Sequence, residues 1–356
     1  MRVAFVTAGD PGRRTGGYLY NARVLCGLRD RGHEVTEVVA SGAGPEDQEA
    51  AARGPGPLAE PGAFDVVVVD ALARIACSPH LDRWRAAVPV VALVHELPAV
   101  ADPGAGATGR EPGYEEPLLR SERLVAVSRD GASILRDRGA PPRRIRVISP
   151  GFDRLLRHEP AASEDPAKVQ ALCVAQWIPR KGIRELAEAW TSRERPGAAL
   201  TLAGETGADP AYTASVRATL AAGSGSVNVA GAVDDAVLSG LYQSSDLFVL
   251  SSRYEGYGMV FAEALAHGLP VIACSTGPVP ELVGREAGLL VPPEDPEALS
   301  GALDRLLGDP DLRRRLSEAA CRRARDLPRW QDTVDGFEKV LKEASLTRTR
   351  HREVRP

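Results

Sequence analysis

The sequence predicts an α/β chain made of two doubly wound, Rossmann-like domains, and three observations carry that expectation. The chain has 356 residues, which at roughly 150 residues per domain is about two domains. Short β-branched and apolar runs alternate with helix-length amphipathic segments throughout, the pattern of parallel sheets covered by helices on both faces. The alternation breaks once, between Pro150 and Pro166, where prolines, Gly151 and charged residues read as a linker. With 44% hydrophobic and 26% charged residues the chain can fill real cores, and disorder over most of its length is ruled out.

The first strand is Arg2 to Thr7, closed by Gly9. Leu19, Ala22, Leu25 and Leu28 then recur at helical spacing within Tyr18 to Arg31. Glu34 to Ala40 is the next strand. Phe64 to Asp70 (FDVVVVD) is apolar without alternation, as a strand buried on both faces must be. Val88–Val94, Leu124–Ser128 and Ile145–Ser149 repeat the theme. Residues 41–62 and 98–113, rich in Gly, Pro, Ala and acids, read as surface loops or short helices. In the second half, strands are expected at Val169–Ala175, Ala199–Ala203, Val227–Ala230, Leu247–Ser251 and Pro270–Cys274. Helices are expected at 182–191, 211–222, 234–243, 259–267, 296–307 and 311–325. Trp330, Val334, Phe337, Val340 and Leu341 then share one helical face, after the second domain is complete. The expected division is residues 1–155 with a returning helix 329–345, residues 166–328, and a basic tail 346–356. That tail, ending RTRHREVRP, reads as a solvated end or as a membrane-surface or partner contact.

Charge and cysteine content narrow the function classes. The formal net charge is −4; the first 160 residues are balanced and the remainder carries the whole excess. Neither part is a nucleic-acid-binding surface by composition. The five cysteines are odd in number and scattered without a C-x-x-C, so no disulfide framework or zinc ribbon is expected and a reducing cytoplasm is the default. The apolar stretch at the N-terminus is too short for a secretory signal, and no run of 18 apolar residues occurs, so membrane contact is expected to be peripheral at most. Arginine-rich, lysine-poor, Ala/Gly/Pro-rich usage hints at a bacterial gene of high GC content. Asp309-Pro310-Asp311, the one D-x-D string, reads as a helix-capping turn.

Two segments point to chemistry. Residues 9–17 (GDPGRRTGG) join the first strand to the first helix, and glycines there allow close backbone approach to a phosphate at a helix N-terminus. The spacing is not G-x-G-x-x-G, so a dinucleotide fingerprint is absent, and a purely structural turn explains the glycines equally well. The stronger segment is Asp246 to Pro270 (DLFVLSSRYEGYGMVFAEALAHGLP). A buried strand ends near Ser251, which puts Glu255 at a strand carboxyl end, where ligands of such sheets bind. Gly256 and Gly258 flank Tyr257 and permit a tight turn. The N–H groups of Met259 and Val260 would face an anion. Glu263 lies about 80° around a helical wheel from Glu255, on the face of Met259, Ala262 and Ala266. A carboxylate there needs partners, and vicinal sugar or ribose hydroxyls would serve; a surface Glu on a connecting helix is the other reading.

This segment resembles the signature of the family-4 retaining glycosyltransferases of the GT-B fold, E-G-F-G-x-x-x-x-E-A-x-A-x-G-x-P-V-I-A. Glu255-Gly256-Tyr257-Gly258, Glu263-Ala264, Ala266, Gly268 and Pro270-Val271-Ile272-Ala273 match it, with Tyr for Phe. The similarity extends to Gly16-Gly17, Arg31-Gly32-His33-Glu34-Val35, Ser128, Pro150-Gly151 and Pro280-Glu281-Leu282-Val283, and is weakest over residues 41–120. It implies two Rossmann-like domains facing across a cleft, the first for the acceptor and the second for the donor. It also implies that Glu255 contacts the donor sugar, Glu263 the ribose, Lys181 the diphosphate and His95 the sugar. Lys181 is one of only four lysines. The family's arginine, five residues before that lysine, is here Gln176. Arg180 or a first-domain arginine then makes up the charge, or the donor is gripped less tightly.

The activity this resemblance implies is transfer of a sugar from a nucleoside diphosphate to a small-molecule or lipid-linked acceptor, with retention, by a front-face route in which the leaving phosphate accepts the acceptor's proton. Lys181, the Gly16-Gly17 loop and the helix beginning at Met259 would stabilise the departing diphosphate, so neither metal nor cofactor is expected. The alternatives are a nucleotide-sugar epimerase or hydrolase, and a non-catalytic nucleotide-sugar binding protein. An NAD-dependent dehydrogenase is disfavoured by the missing fingerprint.

Overall fold

A computed structural model describes residues 1–40, 44–101, 111–152, 168–223 and 225–353, with side chains described as far as residue 346. The chain forms two compact units. One is Met1–Gly151 joined by the segment from Pro328 onward, and the other is Phe152–Leu327.

The first unit holds a six-stranded sheet of β1 (Arg2–Ala8), β2 (Glu34–Ala40), β3 (Val66–Asp70), β4 (Val90–Val94), β5 (Arg123–Ala126) and β6 (Ile145–Val147). The order is β2-β1-β3-β4-β5-β6 and every pair is parallel. The apolar runs account for this. Residues of β3 and β4 are all buried, so these strands sit in the middle with helices over both faces, while β2 is exposed or half-buried except at Ala40 and lies at the edge. The chain leaves β1 toward β2 and then crosses back to β3. The winding therefore reverses between β1 and β3, and the carboxyl ends of these strands open a crevice. The first helix, Gly16–Asp30, leads away from it.

The helix Trp330–Glu353 completes this unit. Val334, Phe337, Val340, Leu341 and Ala344 are buried, and the side chain of Val334 lies so close to Gly27 that a Cβ there would stand 2.5 Å from it. Charged pairs flank the apolar seam: His33 Nε2 with Glu338 (3.0 Å), Arg31 with Asp335 (2.5 Å), and Arg146 with Glu343 (2.8 Å). The helix runs through the segment set apart by sequence as a tail. Residues 354–356 lie outside the described residues.

The second unit holds β7 (Val169–Val174), β8 (Ala198–Ala203), β9 (Ser226–Gly231), β10 (Leu247–Leu250), β11 (Val271–Cys274) and β12 (Gly288–Val291). The order is β12-β11-β10-β7-β8-β9, again all parallel, and the winding reverses between β7 and β10. Trp177, Trp190, Phe248 and Phe261 anchor its core.

Some elements differ from expectation. β12 and the helix before it, Val279–Ala287, were not anticipated; Gly284 adopts a left-handed φ of 69° inside that helix and breaks its periodicity. Arg74–Cys77 and Leu81–Ala87 are also helical, as are Pro45–Ala52, Pro98–Ala101 and Glu111–Leu119 within the Gly/Pro-rich stretches. Residues 41–43, 102–110, 224 and 153–167, which include most of the linker expected between Pro150 and Pro166, lie outside the described residues. Among the described residues no helix is long and apolar enough to cross a membrane.

Candidate functional site

In the second unit the crevice is built by two turns fastened together. After β10 the chain runs through Ser251 and Ser252 to Glu255; after β7 it runs through Gln176 to the turn Pro179–Lys181. The Arg253 N–H donates to the Arg180 carbonyl (2.8 Å), the Arg180 guanidinium donates to the Tyr254 carbonyl (3.0 Å), and Ser251 Oγ donates to the Gly182 carbonyl (2.6 Å). Gly182 is left-handed (φ 65°), and a Cβ on it would collide with the Ser251 carbonyl, so the position takes only glycine.

That fastening brings Lys181 onto Glu255. The ammonium donates to both carboxylate oxygens, at 2.7 and 2.8 Å, and Ser252 Oγ donates to Oε1 at 2.6 Å. Glu255 is 5% exposed. It lies within the protein rather than on a solvated rim, because the turn folds back so that its carboxylate meets Lys181 and Ser252 beneath the surface. Burial pushes its pKa up, but Lys181, then Arg180, and the hydrogen bonds outweigh this and hold it below the ordinary glutamate value.

The helix Met259–Ala266 follows at once. Gly258, its N-cap, is left-handed (φ 90°) and provides no side-chain cap. A Cβ there would stand 2.7 Å from the Phe261 ring. The N–H groups of Met259 and Val260 precede the first that can bond within the helix, so the positive end of the helix faces out of the turn. Tyr257 stacks on Phe152 with ring centroids 6.1 Å apart.

Glu263, one turn on, is partly buried and accepts from the Tyr242 hydroxyl at 2.8 Å. Tyr242 is buried and stacks on His267 at 4.9 Å. Burial raises Glu263 to about 7, against the lowering effect of the Tyr242 bond. The carboxylate is thus a held group, not a loose surface side chain. Gln176 stands at the end of β7, and its Nε2 donates to Glu205 Oε2 at 2.9 Å. Its amide hydrogen is directed at a carboxylate.

In the first unit the corresponding crevice gathers Gly16, Gly17 and His95. The first helix starts at Gly16, and Thr15 before it provides no side-chain cap. Gly17 lies under the His95 ring: a Cβ there would be 3.5 Å from Cδ2. His95 follows β4, and its Nε2 lies 3.0 Å from Asn21 Oδ1. Burial depresses the His95 pKa, opposed by the charges of Asp70 and Glu96, so the ring favours its neutral form. Asp70, at the end of β3 and fully buried, accepts from Thr7 Oγ1 (2.9 Å), Asn21 Nδ2 (2.6 Å) and the Leu72 N–H (2.9 Å).

Sequence reasoning missed the partners that hold these groups: Ser252, Tyr242, Glu205, Asn21, Asp70 and Thr7. Only Asp70 left a trace, as an acid ending a continuous apolar run. Asp309 does cap the helix Pro310–Ala324, accepting from the Leu312 N–H at 2.8 Å, and Asp311 pairs with Arg314.

Comparison with known proteins adds the following. The family model described as "Glycosyl transferases group 1" matches residues 157–323, and that described as "Glycosyltransferase Family 4" matches residues 16–154. The D-inositol 3-phosphate glycosyltransferase of Salinispora arenicola is 33% identical over 298 residues, covering 74% of this chain and 65% of the relative. The MMP alpha-(1->4)-mannosyltransferase of Mycolicibacterium hassiacum is 31% identical over 227 residues, covering 62% and 54%. The chain thus spans less than two thirds of the length of these curated relatives. Among solved structures, sucrose-phosphate synthase from Thermosynechococcus elongatus superposes with a TM-score of 0.80 at 21% identity, over 96% of this chain and 98% of the other. Anabaena HepE in complex with UDP-glucose superposes with 0.77 at 17%, over 96% and 100%.

Proposed function

Because the chain belongs to the group 1, family 4 glycosyltransferases and has their GT-B fold, we propose that it transfers a sugar from a nucleoside diphosphate sugar to an acceptor hydroxyl, with retention at the anomeric carbon. The observation that carries the reading is the Lys181–Glu255 pair beside the uncapped helix Met259–Ala266, at the reversal point of a parallel sheet.

In this reading the nucleoside diphosphate lies against the second unit. The N–H groups of Met259 and Val260 and the Lys181 ammonium meet the diphosphate oxygens, where negative charge grows as the glycosidic bond breaks. Lys181 supplies a compact charge able to serve more than one oxygen. Glu263 accepts from the ribose hydroxyls with the oxygen that Tyr242 leaves open. Glu255 accepts from the donor sugar, and Gly256 and Gly258 keep side chains out of its way. His95, over Gly17, contacts the sugar, as the family resemblance implies. The departing phosphate takes the acceptor's proton on the same face, so no protein nucleophile enters, and Lys181 and the helix supply the charge that a divalent metal would otherwise provide. The UDP-glucose bound by the Anabaena neighbour supports the donor class.

One observation favours a second reading. Gln176 bonded to Glu205 places a carboxylate next to the position where the family carries arginine, which weakens the grip on a diphosphate and suits a non-catalytic binding protein. Purified protein incubated with uridine, guanosine and adenosine diphosphate sugars, with and without a panel of hydroxyl acceptors, separates the readings. Nucleoside diphosphate release that depends on an acceptor, with an α-linked product from an α-linked donor, is the expected result. Release without acceptor indicates a hydrolase, an altered sugar without release an epimerase, and binding without turnover the binding protein; each would overturn the proposal.

A further inference from the structure

We propose that Asn21 and Asp70 are positioning residues that lock His95 as the tautomer carrying its proton on Nε2, which leaves Nδ1 as the accepting nitrogen of the ring. Hydrogen-bond directions impose this order. Asp70 receives donors at both oxygens: Leu72 N–H at Oδ1, and Thr7 Oγ1 and Asn21 Nδ2 at Oδ2. An Asn amide has one donating and one accepting end, and the network decides which faces where. Turning the Asn21 amide over would set its oxygen 2.6 Å from the Asp70 carboxylate, so Nδ2 faces Asp70 and Oδ1 faces the ring. Oδ1 only accepts, and it lies 3.0 Å from His95 Nε2. That nitrogen must donate.

Asp70 Oδ1 is itself 4.0 Å from Nε2, beyond hydrogen-bond reach. Asn21 therefore acts as a bridge that passes the carboxylate's polarity to the ring without a direct ion pair. The ring is held in place as well. Gly17 lies against one side, and Tyr20 meets it edge-on at 5.3 Å, while the Tyr20 hydroxyl is tied to the Ile148 carbonyl at 3.0 Å. Thr7, Asp70 and His95 come from the ends of β1, β3 and β4, so the arrangement sits at the sheet's reversal point. If His95 meets the donor sugar, a locked neutral ring takes a sugar O–H at Nδ1 and gives none. This consequence rests on the function proposed above; the lock itself does not.

The test is a two-bond ¹H–¹⁵N correlation on protein labelled at its six histidines, with His95 assigned by the signals lost in His95→Gln. At pH 7.5 the His95 pattern of wild-type protein is expected to be that of the Nε2–H tautomer. Asn21→Ala, and the isosteric Asp70→Asn, should convert it to a mixture. In the transfer assay Asn21→Ala should lower kcat by about 10- to 100-fold, as loss of the partner that orients a metal-bound histidine does, with donor KM little changed. A wild-type Nδ1–H pattern or a charged ring would overturn the proposal, as would an unchanged pattern in both folded variants. Absence of sugar transfer with the pattern as expected would count against the function alone, whereas active transfer with the wrong tautomer would count against the lock alone.

Discussion

Lys181 bonds to both carboxylate oxygens of Glu255, so a diphosphate bound as proposed would have to share its charge with Glu255. Removing one partner of a buried pair strands the other at a cost of roughly 3–5 kcal/mol. Lys181→Ala strands Glu255, which is 5% exposed. Glu255→Gln leaves the ammonium a neutral acceptor and some solvent. The urea midpoint should therefore fall further for Lys181→Ala than for Glu255→Gln, while each lowers transfer by about 100- to 1,000-fold. A reversed order of midpoints would contradict the pairing. Gln176 gives a sharper test. An arginine placed there has the Glu205 carboxylate beside it to pair with, so Gln176→Arg alone should barely change nucleoside diphosphate affinity by calorimetry. Gln176→Arg with Glu205→Gln should tighten it, more so at low salt. Desolvation at its partly buried position raises the Glu263 pKa to about 7. Its raised pKa makes a stability contribution that is full below the ordinary glutamate range and lost as pH climbs through about 7. Ribose hydroxyls favour the ionised form, so donor binding at pH 7 should release ~0.5 proton, fading by pH 9, as calorimetry in buffers of different ionisation enthalpy would show. Release that does not fall with pH would assign the ribose contact elsewhere.

At the scale of elements, the turn into Met259–Ala266 depends on one backbone geometry. Gly258→Ala puts a methyl group against the Phe261 ring on a left-handed residue, so the variant should lose at least about 1–2 kcal/mol and weaken diphosphate binding together with stability. Unchanged urea midpoints would remove the argument for glycine here. The same turn explains why this region was legible in the sequence. Glycines at forced conformations, a buried strand before them and an apolar helix face after them leave marks within a short window. β12 left no such mark: it has four residues, lies at a sheet edge and follows a helix broken at Gly284. The partners of the site residues were illegible for another reason. Asn21 reaches Asp70 across 49 positions, Tyr242 reaches Glu263 across 21, and Gln176 reaches Glu205 across 29. No local pattern encodes such meetings, because side chains of ordinary polarity acquire a role only when the sheet brings their strand ends together.

For the whole molecule, the alternation of apolar runs and amphipathic segments was enough to read two parallel sheets, since strands buried on both faces cannot hide their composition. The final helix was legible through its apolar stripe, and Phe337 lies fully buried on that seam. Phe337→Ala should cost about 3–5 kcal/mol. Hydrogen exchange should show the loss of protection in the first unit, through the first helix, β3 and β4, on which this helix packs, with the second unit unaffected; loss confined to the second unit would contradict the assignment of this helix. The central claim is that Lys181 and Glu263 hold a nucleoside diphosphate sugar. Calorimetric titration of wild-type, Lys181→Ala and Glu263→Gln protein with uridine, guanosine and adenosine diphosphate sugars tests it most directly. The account predicts that at least one donor binds the wild type and loses about 100-fold or more in affinity, near 2.7 kcal/mol, when Lys181 is removed, with a further distinct loss for Glu263→Gln. Binding of no donor, or binding indifferent to both substitutions in folded protein, would contradict it.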